Sequence, residues 1–257
     1  MTGGDTPPRE PPTPEAKAGV EAEAEAEVQG GLARLGGVFI APARTFASIA
    51  RRPTWLLPLA IAAGLAVPLT ELVFSKTDLR GDITRSVEKS GRKIPDDQLD
   101  AMVEKTRRLA PLFDVFGIVV VAVATVGTAA VLWGACQAFG WDVKFRQSLG
   151  VTTHAFLPQT LASAALLGVL WNRERIDKTT MGDAIPTHLG RLADAHADPV
   201  GHALLSSVDL VSVWVMVLLV LGLAAAAGAP RRKVAILVVA LWALFVLGKA
   251  GLTAVFA

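Results

Sequence analysis

Five stretches of this chain are long and apolar enough to cross a bilayer, and that pattern limits its fold more than any other feature. A spanning helix needs about 20 mostly apolar residues, within a range of roughly 17–25. The stretches at about 55–74, 112–134, 149–171, 205–227 and 234–256 meet that length, and most of the charge lies between them. In hydrocarbon every backbone N–H and C=O needs an internal partner, so such stretches are helices. The expected fold class is all-α: a polytopic membrane bundle of five transmembrane helices. Charged residues make up 19% of the chain, below the usual ~25% of soluble domains. The first and third spans contain proline at depth, Pro68 and Pro158, where a bend and a freed carbonyl are expected.

The segments outside the spans differ in character. Residues 1–30 hold five prolines and seven acidic residues against Arg9 and Lys17, with the run Glu21-Ala-Glu-Ala-Glu-Ala-Glu27. Such a segment has too little apolar surface to offset the entropy of ordering, so it reads as a disordered tail and not as a signal peptide. Residues 31–256 form the membrane domain. Within it, a helix opening at Pro42 collects Phe39, Ala43, Phe46, Ile49 and Ala50 on one side and Arg44, Ser48 and Arg51 on the other. That is the pattern of an N-terminal interfacial amphipathic helix, with Phe46 and Ile49 down and Arg44 and Arg51 near phosphates. Packing on the protein's own spans is the alternative the same wheel allows. Two connections are long. Residues 75–111 carry a helix opened by Pro95 with Leu99 on its apolar face and Glu104 and Arg108 paired at i,i+4. Residues 172–204 have room for a short helix from about Pro186 to His196.

Lys and Arg beside spans mark the cytoplasmic side. Arg34, Arg44, Arg51 and Arg52 precede the first span with no acid among residues 31–52, and Arg231, Arg232 and Lys233 are likewise unopposed. The expected arrangement is therefore amino end cytoplasmic and carboxyl end periplasmic, in a bacterial inner membrane.

Polar groups at membrane depth are costly and often functional. Asp209, His154, Gln159 and Asp114 form a candidate polar centre, with Glu71, Gln137 and Lys249 also at or near span ends. Asp209, beside Ser206, Ser207 and Ser212, has a structural alternative: an anion at a helix amino terminus is stabilised by free N–H groups. Asp194, His196, Asp198 and His202 cluster locally, but no recognised ligand spacing supports a metal site. No HExxH, GxSxG or P-loop pattern occurs. Neither catalysis nor a cofactor is expected, and nothing beyond scattered arginines points to nucleic acid. Cys136, the sole cysteine, excludes an intramolecular disulfide. The small-residue run Gly222-Leu-Ala-Ala-Ala-Ala-Gly228 permits close helix contact.

Four blocks carry a resemblance to a known family. They are Val38-Phe-Ile-Ala-Pro42 with Thr45-Phe46, Ile49, Arg52-Pro53 and Pro58-Leu59; Phe145-Arg-Gln-Ser-Leu-Gly-Val151 with Thr152, Thr153, His154, Leu157 and Pro158; Ser207-Val-Asp209-Leu-Val-Ser-Val-Trp214 with Leu221-Gly222-Leu-Ala; and Arg231-Arg-Lys-Val234. In this order, over about residues 31–256, the chain resembles the Yip1 domain family of integral membrane proteins. The resemblance implies a five-span membrane protein. Eukaryotic members act in vesicle trafficking and associate with Rab-type GTPases and with one another. This composition looks bacterial, and a bacterium lacks that vesicle system, so Rab binding is not carried over. The expected role is a non-enzymatic scaffold or membrane-organising protein, whose partners are membrane lipids and other membrane proteins or further copies of itself. A transporter of small molecules, ions or lipids, built around the polar centre, is the rival.

Overall fold

A computed structural model describes residues 30–91, 94–176, 181, 185, 188–192 and 198–256. The acidic tail and most of the Pro186–His196 segment lie outside them. Five helical segments are long and apolar enough to cross a membrane: Leu56–Lys76, Ala110–Ala138, Phe145–Trp171, Leu210–Ala227 and Arg231–Val255.

The first of these, α3 (Leu56–Lys76), continues through Pro68. Its main neighbour is α6 (Ala110–Ala138). The third span is two helices in line, α7 (Phe145–Ala155) and α8 (Leu157–Trp171), which meet at Phe156. Pro158 has no N–H to offer the carbonyl of His154, so the α-helical ladder is interrupted there. Residues 148–155 are all buried, polar ones included. Ser148 donates to Ala129 O on α6 (2.8 Å), and Thr152 and Thr153 turn their hydroxyls back to carbonyls one turn earlier. These bonds let α7 carry hydroxyls into the bundle without stranded donors.

The fourth span begins later than its hydropathy. Leu205 closes a separate short helix, α9 (Pro199–Leu205), and α10 (Leu210–Ala227) starts only after Asp209. Asp209 has extended backbone (φ −133°, ψ 158°) and caps α10. Hydropathy runs across this boundary because Leu204, Leu205, Val208 and Leu210 are apolar; the capping geometry ends one helix and begins the next. Gly228, at φ +59°, closes α10 in the left-handed conformation that suits glycine. The basic turn then leads into α11 (Arg231–Phe256).

Between the first two spans lie α4 (Leu79–Lys89), capped by Asp78, and α5 (Asp96–Arg108), which follows Pro95 as expected. Leu99 is buried, Arg108 pairs with Glu104 at 3.0 Å, and Arg80 joins the two helices through Asp96 and Asp100. The signal for α4 in the sequence is Leu79, Ile83 and Val87 at i, i+4 and i+8 behind the Asp78 cap. A single 3₁₀ turn, Leu189–Leu192, lies in the region where a short helix was expected.

The amino-terminal helices decide the character of one end. α1 (Gly30–Ile40) and α2 (Pro42–Arg51) turn at Ala41 and run back along each other. Arg34 on α1 fastens this hairpin: it donates to Ser48 Oγ (3.2 Å), Arg52 O (3.0 Å) and Thr54 Oγ1 (2.9 Å). Pro42 suits the first turn of α2, and Pro53 follows its end. The amphipathic helix is present where the pattern puts it, but the medium covering its apolar face is protein rather than acyl chain. Phe46 and Ile49 are fully buried in the main core, with Val151, Leu218, Leu223 and Val234. Gln147 on α7 donates to Ala50 O (2.8 Å), while Phe46 and Val151 meet at Gly222 on α10. These contacts seat α2 against both α7 and α10. Phe39, just before the turn, stands edge-on to Trp214 at 5.7 Å. A wheel identifies the apolar face of a helix but not what will cover it.

Candidate functional site

The four residues of the expected polar centre occupy four different settings, and among the described residues none is hydrogen-bonded to another. Asp209 sits at the amino terminus of α10, where Oδ1 accepts from Ser212 N–H at 2.9 Å and Oδ2 accepts from the Ser212 hydroxyl. This is an N-cap with a second bond, and both bonds serve the first turn of the helix. Val208 O accepts from Leu189 N–H (3.3 Å) beside it, drawing the preceding loop against the span end. Asp209→Asn, which keeps a capping oxygen, is expected to lower folded yield only modestly. Asp209→Ala is expected to cost about 1 kcal/mol. Melting of the two purified variants checks this order, and equal losses would count against the capping role.

His154 lies inside the bundle near the α7–α8 junction and is 1% exposed. Its Nδ1–H donates to Gly150 O at 2.8 Å. Nε2 is then an acceptor, buried and without a partner among the described residues. Gln159, one turn on, is exposed on the outside of α8 and lines no shared interior with His154.

Asp114 has a partner that the linear pattern did not assign. Across the α3–α6 contact its carboxyl group lies against that of Glu71. Asp114 Oδ1 is buried without a hydrogen bond among the described residues. Each residue was recognisable alone as a charge near a span end. Their pairing depends on the packing of two spans separated by α4 and α5, which no local pattern encodes.

Two lysines of the same end have evident structural roles. Lys76 closes α3 and donates to Leu170 O (3.4 Å), Trp171 O and Arg173 O (2.8 Å) at the end of α8, with its ammonium 5.9 Å from the Trp171 ring centre. A cation there meets the negative end of the α8 dipole. Lys249 on α11 reaches Ser206 and Ser207 of the α9–α10 junction at 3.4 and 3.3 Å. Among the described residues no group of three or more His, Cys, Asp or Glu could hold a metal ion. Asp194 and His196 of the local Asp/His cluster lie outside the described residues, and Asp198 caps α9 by accepting from Gly201 N–H at 2.8 Å.

At the opposite end is an open groove of about 720 Å³ between α1 and α2, lined by Arg34, Arg44, Arg51, Thr45 and Ser48 among others. The arginines were visible in the sequence as the polar face of α2. The contribution of α1 was not, because it depends on the turn at Ala41.

These features define a class: an all-helical, multi-pass integral membrane protein with an amino-terminal helical hairpin built into its bundle. Within that class the chain belongs to the Yip1 domain family, whose model matches residues 36–252. Neither a curated protein nor a solved structure gives a significant match.

Proposed function

We propose that this chain is a non-enzymatic scaffold that organises a bacterial inner membrane, with its amino end in the cytoplasm and its carboxyl end in the periplasm. The supporting observation is the dispersal of its polar residues. Asp209 is a helix cap, His154 is a core residue, Gln159 faces outward, and Asp114 meets Glu71 near one end. Groups that moved a solute across the bundle would have to line one path. The unopposed Arg231, Arg232 and Lys233 and the arginines of residues 34–52 favour the cytoplasm for their end. Under this proposal residues 31–256 form the working membrane unit.

A transporter is the second reading, favoured by the Glu71–Asp114 pair and by the broken third span, since interrupted helices often border transport sites. Crosslinking in native membranes, purification and mass spectrometry of what remains bound separates the two. The scaffold reading expects stoichiometric membrane-protein partners or further copies of this chain, retained by an Asp114→Asn variant. Recovery of the chain alone, with a solute lost on that substitution, would sink it. Reporter fusions at residues 140 and 230 should be cytoplasmic, and a periplasmic signal at 230 would reverse the orientation.

A further inference from the structure

From the groove between α1 and α2 we infer a binding site for the phosphate of an anionic phospholipid headgroup. The inference does not depend on whether the chain is a scaffold or a transporter. Three guanidinium groups line the groove, and among the described residues no Asp or Glu does. Among the described residues none of the three forms an ion pair. The groove therefore concentrates positive charge with no counter-ion among the described residues.

The donors are arranged for an oxygen-rich anion. Arg34 is held rigidly by its three bonds to Ser48, Arg52 and Thr54, which still leave N–H groups of its five unused. Arg51 spends Nε–H on Ala47 O (3.2 Å) and keeps both terminal nitrogens. Arg44 is exposed and has no hydrogen bond among the described residues. Planar guanidinium groups match phosphate oxygens in pairs, which an ammonium cannot do.

Position selects the source of the phosphate. α2 packs on α7 and α10, both parts of segments long and apolar enough to cross a membrane, so the groove belongs to the membrane domain. Exposed arginine near a span end is attracted by the anionic headgroups of the adjoining leaflet. The anion present there at high local concentration is the lipid phosphodiester, and a negatively charged lipid adds attraction for the basic turn Arg231-Arg-Lys233 at the same end of the bundle. A soluble phosphate offers the same oxygens, but it would have to compete with the bilayer itself.

The test uses the full chain, delipidated in neutral detergent and titrated with phosphatidylglycerol or phosphatidylcholine, with retained lipid counted by native mass spectrometry. One phosphatidylglycerol per chain should be retained in preference to phosphatidylcholine. Arg44→Gln should weaken it about ten-fold, and Arg44→Gln with Arg51→Gln should abolish the preference. Arg44 makes no bond within the described protein, so the single variant should melt with the parent, which separates lost binding from lost fold. Arg231→Gln with Arg232→Gln should leave the one-to-one retention in place. Equal retention by parent and Arg44→Gln protein would overturn the site. So would inorganic phosphate that displaces the lipid completely at millimolar concentration, since the groove would then be a site for the free ion.

Discussion

Replacing Gly222 by leucine is expected to expel α2 from the bundle. A Cβ at this position would collide with Val151 Cγ1 and stand 2.8 Å from Phe46 Cδ1. Val151 and Phe46 are both fully buried, so neither can swing away into solvent. Overpacking of this kind costs about 1–3 kcal/mol where a core can adjust. Here one side chain would have to displace two helices. Alanine gives the graded version: its better helix propensity, worth about 1 kcal/mol, works against the clash, so Gly222→Ala should lose less. The readout is maleimide labelling of Ile49→Cys in a Cys136→Ala background. The introduced thiol should be protected with Gly222 and react quickly with leucine there, alongside a lower melting temperature. A protected thiol with unchanged melting would show that α2 does not dock on α10 as described.

The double replacement Phe46→Ser and Ile49→Ser attacks the same contact from the other side. Truncating a buried phenylalanine costs about 3–5 kcal/mol and a buried isoleucine about 2–5 kcal/mol. Neighbours share the loss, so the two do not simply add. Serine adds hydroxyls that the surrounding apolar side chains cannot satisfy. The hairpin should come loose while all five spans remain inserted, because insertion of each is set by its own hydrophobicity. Protease cleavage within residues 42–54 of membrane-embedded protein would report the release. Phe245→Ala, at a position 69% exposed on α11, should leave that segment as resistant as in the parent. Equal resistance in the double variant would contradict the burial of α2.

How far this architecture can be read from the sequence depends on the range of the interaction concerned. The five spans are a local property of length and apolarity, and they are visible without any partner. Pro158 signals a freed carbonyl in the third span, and the break into two helices at Phe156 goes beyond what that local signal implies. Hydropathy starts the fourth span too early, because it averages over Leu204–Leu210 while the boundary is made by one carboxylate turning back onto Ser212. The same carboxylate was recognised as a possible cap because an acid before a long apolar run is itself a local signal. The partners of Phe46 and Asp114 were not legible. Each is chosen by a contact between helices remote in sequence, and a wheel or a hydropathy window contains no information about it. Gly222 came closest to an exception: its small neighbours pointed to close packing, without saying that α2 would be what approaches.

The docking of α2 also has a consequence for how the protein is made. Phe46 leaves the ribosome long before Gly222 exists to receive it. At about 5–20 residues per second the roughly 180 residues between them take on the order of 10–35 s to synthesise. Until α7 follows, roughly 100 residues after Phe46, the apolar face of α2 lacks both helices that cover it, and the nearest apolar medium is the bilayer surface. The face that ends inside the bundle is thus first a surface-seeking one, with Arg44 and Arg51 suited to anionic headgroups on its other side. Amphipathicity of this segment then belongs to the nascent chain as much as to the finished one. Lipid composition would accordingly bear on the yield of correctly assembled protein more than on the stability of molecules already complete.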